Sequence, residues 1–184
     1  MAETARSHPR RSTERYFDFW ITGRGIDIGC GDDPVTPTCE KWDQVLGHGD
    51  AAKMEGVPSG VYDFVFSSHC LEDMEDPTSV VARWWELLKE GGHFIIEVPH
   101  RDLYERKKEL PSNGNGAHRW FWLPDRAEPP CTLNLLQVVQ EGVGARGVLM
   151  SLRTLAAYRK PYPDEFAAWP YSIEIVMRKG PLPA

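Results

Sequence analysis

Long apolar runs are missing from this 184-residue chain: no uninterrupted stretch of aliphatic or aromatic residues exceeds four, Trp120 to Leu123 being one of them. A membrane-spanning helix needs about 20 predominantly apolar residues, and a secretory signal an apolar stretch of roughly 7–15. Neither is expected, and no membrane partner with them. Cysteine is scarce: Cys30, Cys39, Cys70 and Cys131 form no CxxC pair, and no histidine stands at zinc-ligand spacing around them. That excludes a disulfide scaffold and a structural zinc, and no metal site is expected. The four read as reduced thiols of a cytoplasmic protein. Positive charge is also short, with 21 Lys and Arg against 27 Asp and Glu and a net charge of −6. Nucleic-acid binders usually carry a basic domain, so no nucleic-acid partner is expected. There is no internal repeat.

What is present suits one folded domain over residues 1–184. Hydrophobic residues make up 41% and charged residues 26%, close to the globular average, and a chain this long can bury a core without staples. Residues 1–15 carry Arg6, Arg10, Arg11 and Arg15 without apolar periodicity and read as a mobile tail. Tyr16-Phe17-Asp18-Phe19-Trp20-Ile21 is strongly apolar. It either packs on the core for its area alone or folds back over a ligand, with Tyr16 and Trp20 as candidate substrate contacts.

Three short runs read as strands buried on both faces: Gly25 to Ile28, Tyr62 to Ser67 and His93 to Val98. Between the last two, Asp76 reads as a helix N-cap, Pro77 as the first helical residue and Gly91-Gly92 as the stop. Val80, Val81, Trp84, Leu87 and Leu88 give that helix one apolar stripe. Strand, helix and strand in this order make a βαβ unit and an α/β fold. Residues 99–131, rich in proline and glycine, read as a loop covering the substrate. Leu133 to Val139 is ambiguous between helix and strand, and Gly147 to Leu152 and Tyr171 to Arg178 read as final strands.

The most informative stretch is Gly25-Ile26-Asp27-Ile28-Gly29-Cys30-Gly31-Asp32-Asp33-Pro34. A strand ends at a carboxylate and enters a turn with two glycines, at the sheet edge where open α/β folds bind ligands. Pro34 stands where a dinucleotide fingerprint would need its last glycine, which argues against a nicotinamide oxidoreductase. Asp27 would repel phosphate and suit a ligand carrying an ammonium group.

These residues resemble the first motif of class I S-adenosylmethionine-dependent methyltransferases, and further stretches resemble that family in order. Glu40-Lys41-Trp42-Asp43 resembles its second strand, whose terminal acid, Asp43, would accept from the two ribose hydroxyls. Gly49-Asp50-Ala51 resembles the loop that holds the adenine edge. Tyr62 to Glu72, through Ser67-Ser68-His69-Cys70-Leu71, resembles the fourth strand and the turn after it, and Leu87 to Ile96 the following helix, turn and strand. The resemblance covers residues 22–100 closely and 100–184 in outline. It implies a Rossmann-like, doubly wound sheet, mostly parallel with an antiparallel last strand. It also implies S-adenosylmethionine as cofactor, S-adenosylhomocysteine as product, and Asp27, Gly29, Cys30, Gly31, Asp43, Asp50, Ala51, Ser67 and Ser68 as the residues around them. Departures are Asp33 for the third glycine, Asp73 for a second histidine, and a connection with Pro34 and Pro37 too short for the usual helix.

A sulfonium methyl is already activated, so the protein mainly positions the acceptor; hydroxyl acceptors also need a base near neutral pKa. His69 and His100, after the fourth and fifth family strands, are the candidate bases, with His118 as a third. His118, Trp120, Arg101 and Tyr104 are candidate substrate contacts, Arg101 being suited to a carboxylate. Arg101 to Glu109 alternates charge and reads as a solvated face. The expected activity is methyl transfer to a nitrogen or oxygen of a small molecule. The alternatives are a non-catalytic binding subunit of the same fold, and methylation of a protein or glycan.

Overall fold

The computed structural model describes residues 3–113, 115–155 and 171–181. Four strands, β1 (Gly25–Ile28), β2 (Glu40–Trp42), β3 (Tyr62–Ser68) and β4 (Leu88–Pro99), run parallel. β5 (Phe121–Leu123) and β6 (Thr132–Asn134) form a small separate sheet. β7 (Gly147–Leu155) and β8 (Ser172–Lys179) complete the main sheet, in the order β2-β1-β3-β4-β8-β7, with β8 antiparallel to both neighbours. The fold is the doubly wound, mostly parallel sheet implied by the motifs.

Strand side chains alternate between two faces, and each face has its own cover. Ile26 and Ile28 of β1, Val65 of β3, Phe94 and Ile96 of β4 and Ile173 and Ile175 of β8 pack in one cluster. It includes Val81 and Trp84 of α3 (Pro77–Glu86) and Leu135 and Val139 of α4 (Leu135–Val143). Phe64, Phe66, Ile95 and Val176 face the other way, against Tyr16, Ile21 and Val35. Asp27, Glu97 and Glu174 belong to this second face by alternation.

Residues 3–15 correct the expectation of a mobile tail. Glu3–Thr13 is a helix, α1, followed by the short α2 (Tyr16–Phe19). Arg10 and Arg11 are buried and donate to Glu97 at 2.7 and 2.8 Å, and Arg10 also reaches Glu174 at 3.3 Å. Charge pairing docks this segment where apolar periodicity is lacking. Tyr16 and Trp20 are corrected as substrate contacts. Tyr16 is fully buried and donates to Glu174 at 3.0 Å. Trp20 packs edge-on to His93, several residues below the carboxyl end of β4.

Two boundaries also move. Helix α3 starts at Pro77, with Asp76 accepting from the Ser79 N–H, but stops at Glu86. Leu88 already pairs with Tyr62, and Gly91, at a φ of +81°, turns the strand through a register shift. Leu133 to Val139 divides between β6 and α4. No helix forms between β1 and β2, in keeping with Pro34 and Pro37. None of the four cysteines is in a disulfide, and no helix among the described residues is long and apolar enough to cross a membrane.

Candidate active site

A cleft opens at the carboxyl edge of β1 and β3. One lobe, of about 320 Å³, is lined by Thr4, Asp27, Cys30, Gly31 and Ser68 among others. A second, of about 380 Å³, is lined by Asp50, Ala51, Cys70, Asp73 and Met74 among others. Gly29, Asp43, Val45 and His69 wall both.

Backbone shape makes the first lobe. Gly29 and Gly31 have φ of +80° and +53°, a region that favours glycine. A Cβ on Gly29 would stand 2.5 Å from the Cys70 Cβ, so the turn is seated against Cys70. A Cβ on Gly31 would meet nothing within 4 Å and would project into open space. Beneath the turn, Asp27 is 1% exposed and accepts from the Val35 N–H at 2.6 Å. Burial pushes its carboxyl up to about 8, against the opposing pull of that N–H and of Arg11. A largely neutral buried carboxyl with so few donors would gain from an ammonium partner.

Asp43 lies one residue past β2 and ties the two lobes. Its Oδ2 accepts from the Gly31 N–H at 2.8 Å and its Oδ1 from the Val45 N–H at 2.9 Å. A carboxylate has about four lone-pair sites, so two stay available to hydroxyl donors. Ala51 gives its carbonyl to the Trp84 indole N–H, and Asp50 caps its own turn at the Ala52 N–H. Burial pushes the Cys30 thiol up to about 12, which removes it as a nucleophile. Ser67 is not brought to the cleft. It is 1% exposed and donates to the Ile28 carbonyl at 2.9 Å, joining β3 to β1.

The larger neighbouring cavity, of about 830 Å³, is lined by Leu110, Pro111, His118, Arg119 and Trp120 on one side and by Asp73 and Glu75 on the other. Asp73 lines this cavity and the second lobe as well, and so stands at their junction. The Arg119 and Trp120 N–H groups both donate to the Glu72 carbonyl, and the Trp120 indole donates to the Met74 carbonyl at 3.0 Å. These bonds hold the two walls together.

The histidines separate in this geometry. His69 walls the cleft with a φ of +53°, and its Nε2 stands 2.8 Å from the Ser172 hydroxyl. Burial, opposed by Glu97, presses its pKa down to about 4. His100 lines none of these cavities, and its Nδ1 accepts the Asp102 N–H at 3.1 Å. Arg101 is 2% exposed, and its guanidinium is engaged by Asp102 at 2.8 Å and Glu128 at 2.6 Å. That corrects its reading as a carboxylate receptor. Tyr104 lies between the rings of His69 and His118, 5.7 and 6.2 Å away. Glu105, read as part of a solvated face, is buried against His118. The segment Arg101–Glu105 coils as a wide helical turn, so ordinary helical spacing does not give its faces. Sequence reasoning also missed Thr4, Val45 and Met74 as walls; a main chain folding over a cleft leaves no side-chain signature.

A family model described as a methyltransferase domain matches residues 1–129. A trans-aconitate 2-methyltransferase of Deinococcus radiodurans is 27% identical over 169 residues, covering 77% of this chain. This chain spans 65% of the length of that relative. Among solved structures, an S-adenosylmethionine-dependent methyltransferase from Clostridium acetobutylicum superposes with a TM-score of 0.60 at 10% identity, covering 98% of this chain and 93% of that one. Another from Mesorhizobium loti gives a TM-score of 0.51 at 13% identity, covering 85% of this chain and 90% of that one. At such identities the structural likeness establishes the fold.

Proposed function

This chain belongs to the methyltransferase-domain family, and from that membership we propose that it is an enzyme transferring a methyl group from S-adenosylmethionine to a nitrogen or oxygen of a small-molecule acceptor. The observation that carries the reading is the two-lobed cleft, with a buried carboxyl and an open glycine turn at one end and Asp50 and Ala51 at the other. Its donor set fits an amino-acid group joined to a nucleoside. Asp27 would hold the ammonium, the bare backbone at Gly31 admits the amino-acid end, and Asp43 has lone pairs for ribose hydroxyls. Asp50 and Ala51 bound the far end. When bound, S-adenosylmethionine supplies a methyl on a positively charged sulfur, already activated for displacement.

The chain's own residues then have to hold the acceptor in line and keep water out. Positioning of this kind can supply roughly 7–11 kcal/mol of the barrier. The adjoining 830 Å³ cavity meets the cleft at Asp73 and is the place for the acceptor. Its size suits a small molecule, and the Deinococcus relative carries the name of an enzyme acting on one. Titration calorimetry with S-adenosylhomocysteine tests the donor site: the wild type binds, and Asp27→Ala and Gly31→Val lose that binding while remaining folded. A folded wild type without affinity for it would overturn the proposal.

A further inference from the structure

His118 sits in the wall of the larger cavity in a setting no other histidine shares. Its Nδ1 lies 2.6 Å from Glu105 Oε1, and neither side chain is more than 3% exposed. The Ser112 hydroxyl donates to the second Glu105 oxygen, so Glu105 is itself fixed. A carboxylate only accepts, so Nδ1 donates in this pair and Nε2 is the ring nitrogen left to exchange a proton with a ligand. That Nε2 is 3.7 Å from Glu72 Oε1, beyond hydrogen-bond reach, and His69 Nδ1 stands 3.7 Å from the same oxygen. An imidazole oriented by one carboxylate, with its other nitrogen able to accept and a second carboxylate close by, is arranged as a general base.

We propose that His118, oriented by Glu105, takes the proton from the acceptor, and that the acceptor offers a hydroxyl or phenol, not a preformed carboxylate. The inference rests on the donor-site reading above and deepens it. In the step, the acceptor oxygen forms a bond to the methyl carbon while the carbon–sulfur pair stays on sulfur as a thioether. The hydroxyl proton passes to His118 Nε2, and the imidazolium stands between Glu72 and Glu105. It returns the proton to water once product leaves.

A carboxylate acceptor would need no base, being ionised at neutral pH. It would also meet Asp73 and Glu75 in this cavity, whose lining, among the described residues, offers Arg119 as its one guanidinium and no lysine. The other histidines are less suited. His69 is pressed far below neutrality with Nε2 engaged by Ser172, and His100 is turned into its own helical turn. The charged and titratable groups around His118 are Glu105 and Tyr104 from one segment, Glu72, Asp73 and His69 from another, and Arg119 beside it.

The test uses the full chain with S-adenosylmethionine, catechol and tyramine as hydroxyl probes, and trans-aconitate as the ionised carboxylate. S-adenosylhomocysteine release is followed against pH. We expect turnover of a hydroxyl probe with a rising alkaline limb. His118→Ala should lower kcat about 10²–10⁴-fold, flatten that limb, leave S-adenosylhomocysteine affinity unchanged, and be partly rescued by added imidazole. Long-range proton–nitrogen NMR should find a proton on His118 Nδ1, should show Nε2 responding to catechol, and should lose the Nδ1 preference in Glu105→Gln. Turnover of trans-aconitate alone, wild-type kcat in His118→Ala, or a proton on Nε2 overturns the inference. If no probe turns over, the NMR outcome decides it. Loss of S-adenosylhomocysteine binding by the wild type instead strikes the donor-site reading, which separates the two failures.

Discussion

Arg11 Nη2 lies 2.8 Å from Glu97 Oε2, with one side chain fully buried and the other 2% exposed. The pair joins the N-terminal helix α1 to the carboxyl end of β4, beside the cleft. Burial alone would raise the Glu97 carboxyl, but Arg11 and Arg10 outweigh it and hold it far below the usual carboxylate range. Glu174, buried next to it, is pushed the other way by burial and by the Glu97 charge. Removing Arg11 leaves the buried Glu97 charge with Arg10 alone, so Arg11→Ala should lose about 1–3 kcal/mol in urea unfolding. Arg11→Ala with Glu97→Gln should recover part of that loss. Because the Glu97 pKa is depressed in the folded state, its contribution is present above the ordinary carboxylate pKa and is lost as pH falls below it. An Arg11→Ala protein as stable as the wild type would contradict this.

Asp27 reports on ligand binding through its proton. Its carboxyl, raised to about 8 mainly by burial, is protonated in the free protein at pH 7. A ligand ammonium favours the carboxylate, so binding S-adenosylhomocysteine should release a proton at pH 7 and release less as pH rises past about 8. The same shift makes folding stability depend on pH. Its stabilising effect is complete below the ordinary aspartate pKa and fades as pH climbs toward about 8. Calorimetry in buffers of different ionisation enthalpy measures the proton. The release should vanish in Asp27→Asn, and its persistence there would place the proton elsewhere.

The two glycines of the turn should respond differently to alanine. Gly29→Ala combines a φ of +80° with a Cβ 2.5 Å from Cys70, so the fold itself must shift. A loss of about 1–3 kcal/mol in thermal unfolding is expected, with weaker binding following. Gly31→Ala meets no neighbour within 4 Å, so it should lose about 1 kcal/mol and still weaken S-adenosylhomocysteine binding more than tenfold. Equal losses of stability in the two variants would refute the distinction.

Asp43→Ala leaves the Gly31 and Val45 N–H groups without their carboxylate. The Gly31 bond is at a part-buried site and is worth about 1–3 kcal/mol, whereas the Val45 N–H is exposed and can turn to water. The variant should melt earlier and bind S-adenosylhomocysteine poorly, and Asp43→Asn should retain part of both. Differential scanning calorimetry with and without ligand measures this. An Asp43→Ala protein that melts and binds as the wild type does would show these bonds to be dispensable.

Much of the first lobe of the cleft was legible because its shape is local. Asp27, Gly29 and Gly31 lie within five residues, and their spacing alone puts a carboxylate under a bare turn. Pro34 and Pro37 likewise excluded a helix before β2. The boundary at Leu87-Leu88 was not legible, since two leucines suit a buried helix end and a buried strand start equally. His100 looked equivalent to His69 in sequence, yet a capping bond at its own Nδ1 turns it from the cleft. Arg101 looked free for a substrate, and Glu128, 27 residues away, engages it.

The order of turn residues and apolar runs was enough to determine an α/β sheet, its parallel core and the carboxylate-glycine turn, because each depends on neighbours within one strand or loop. Tertiary structure alone decided that α1 docks, since its arginines find Glu97 across 86 and 87 residues of chain. It also decided that Glu105 turns inward to His118 and that Asp73 joins the two cavities. Those outcomes depend on burial and on charges meeting across the fold, and local periodicity carries no record of either.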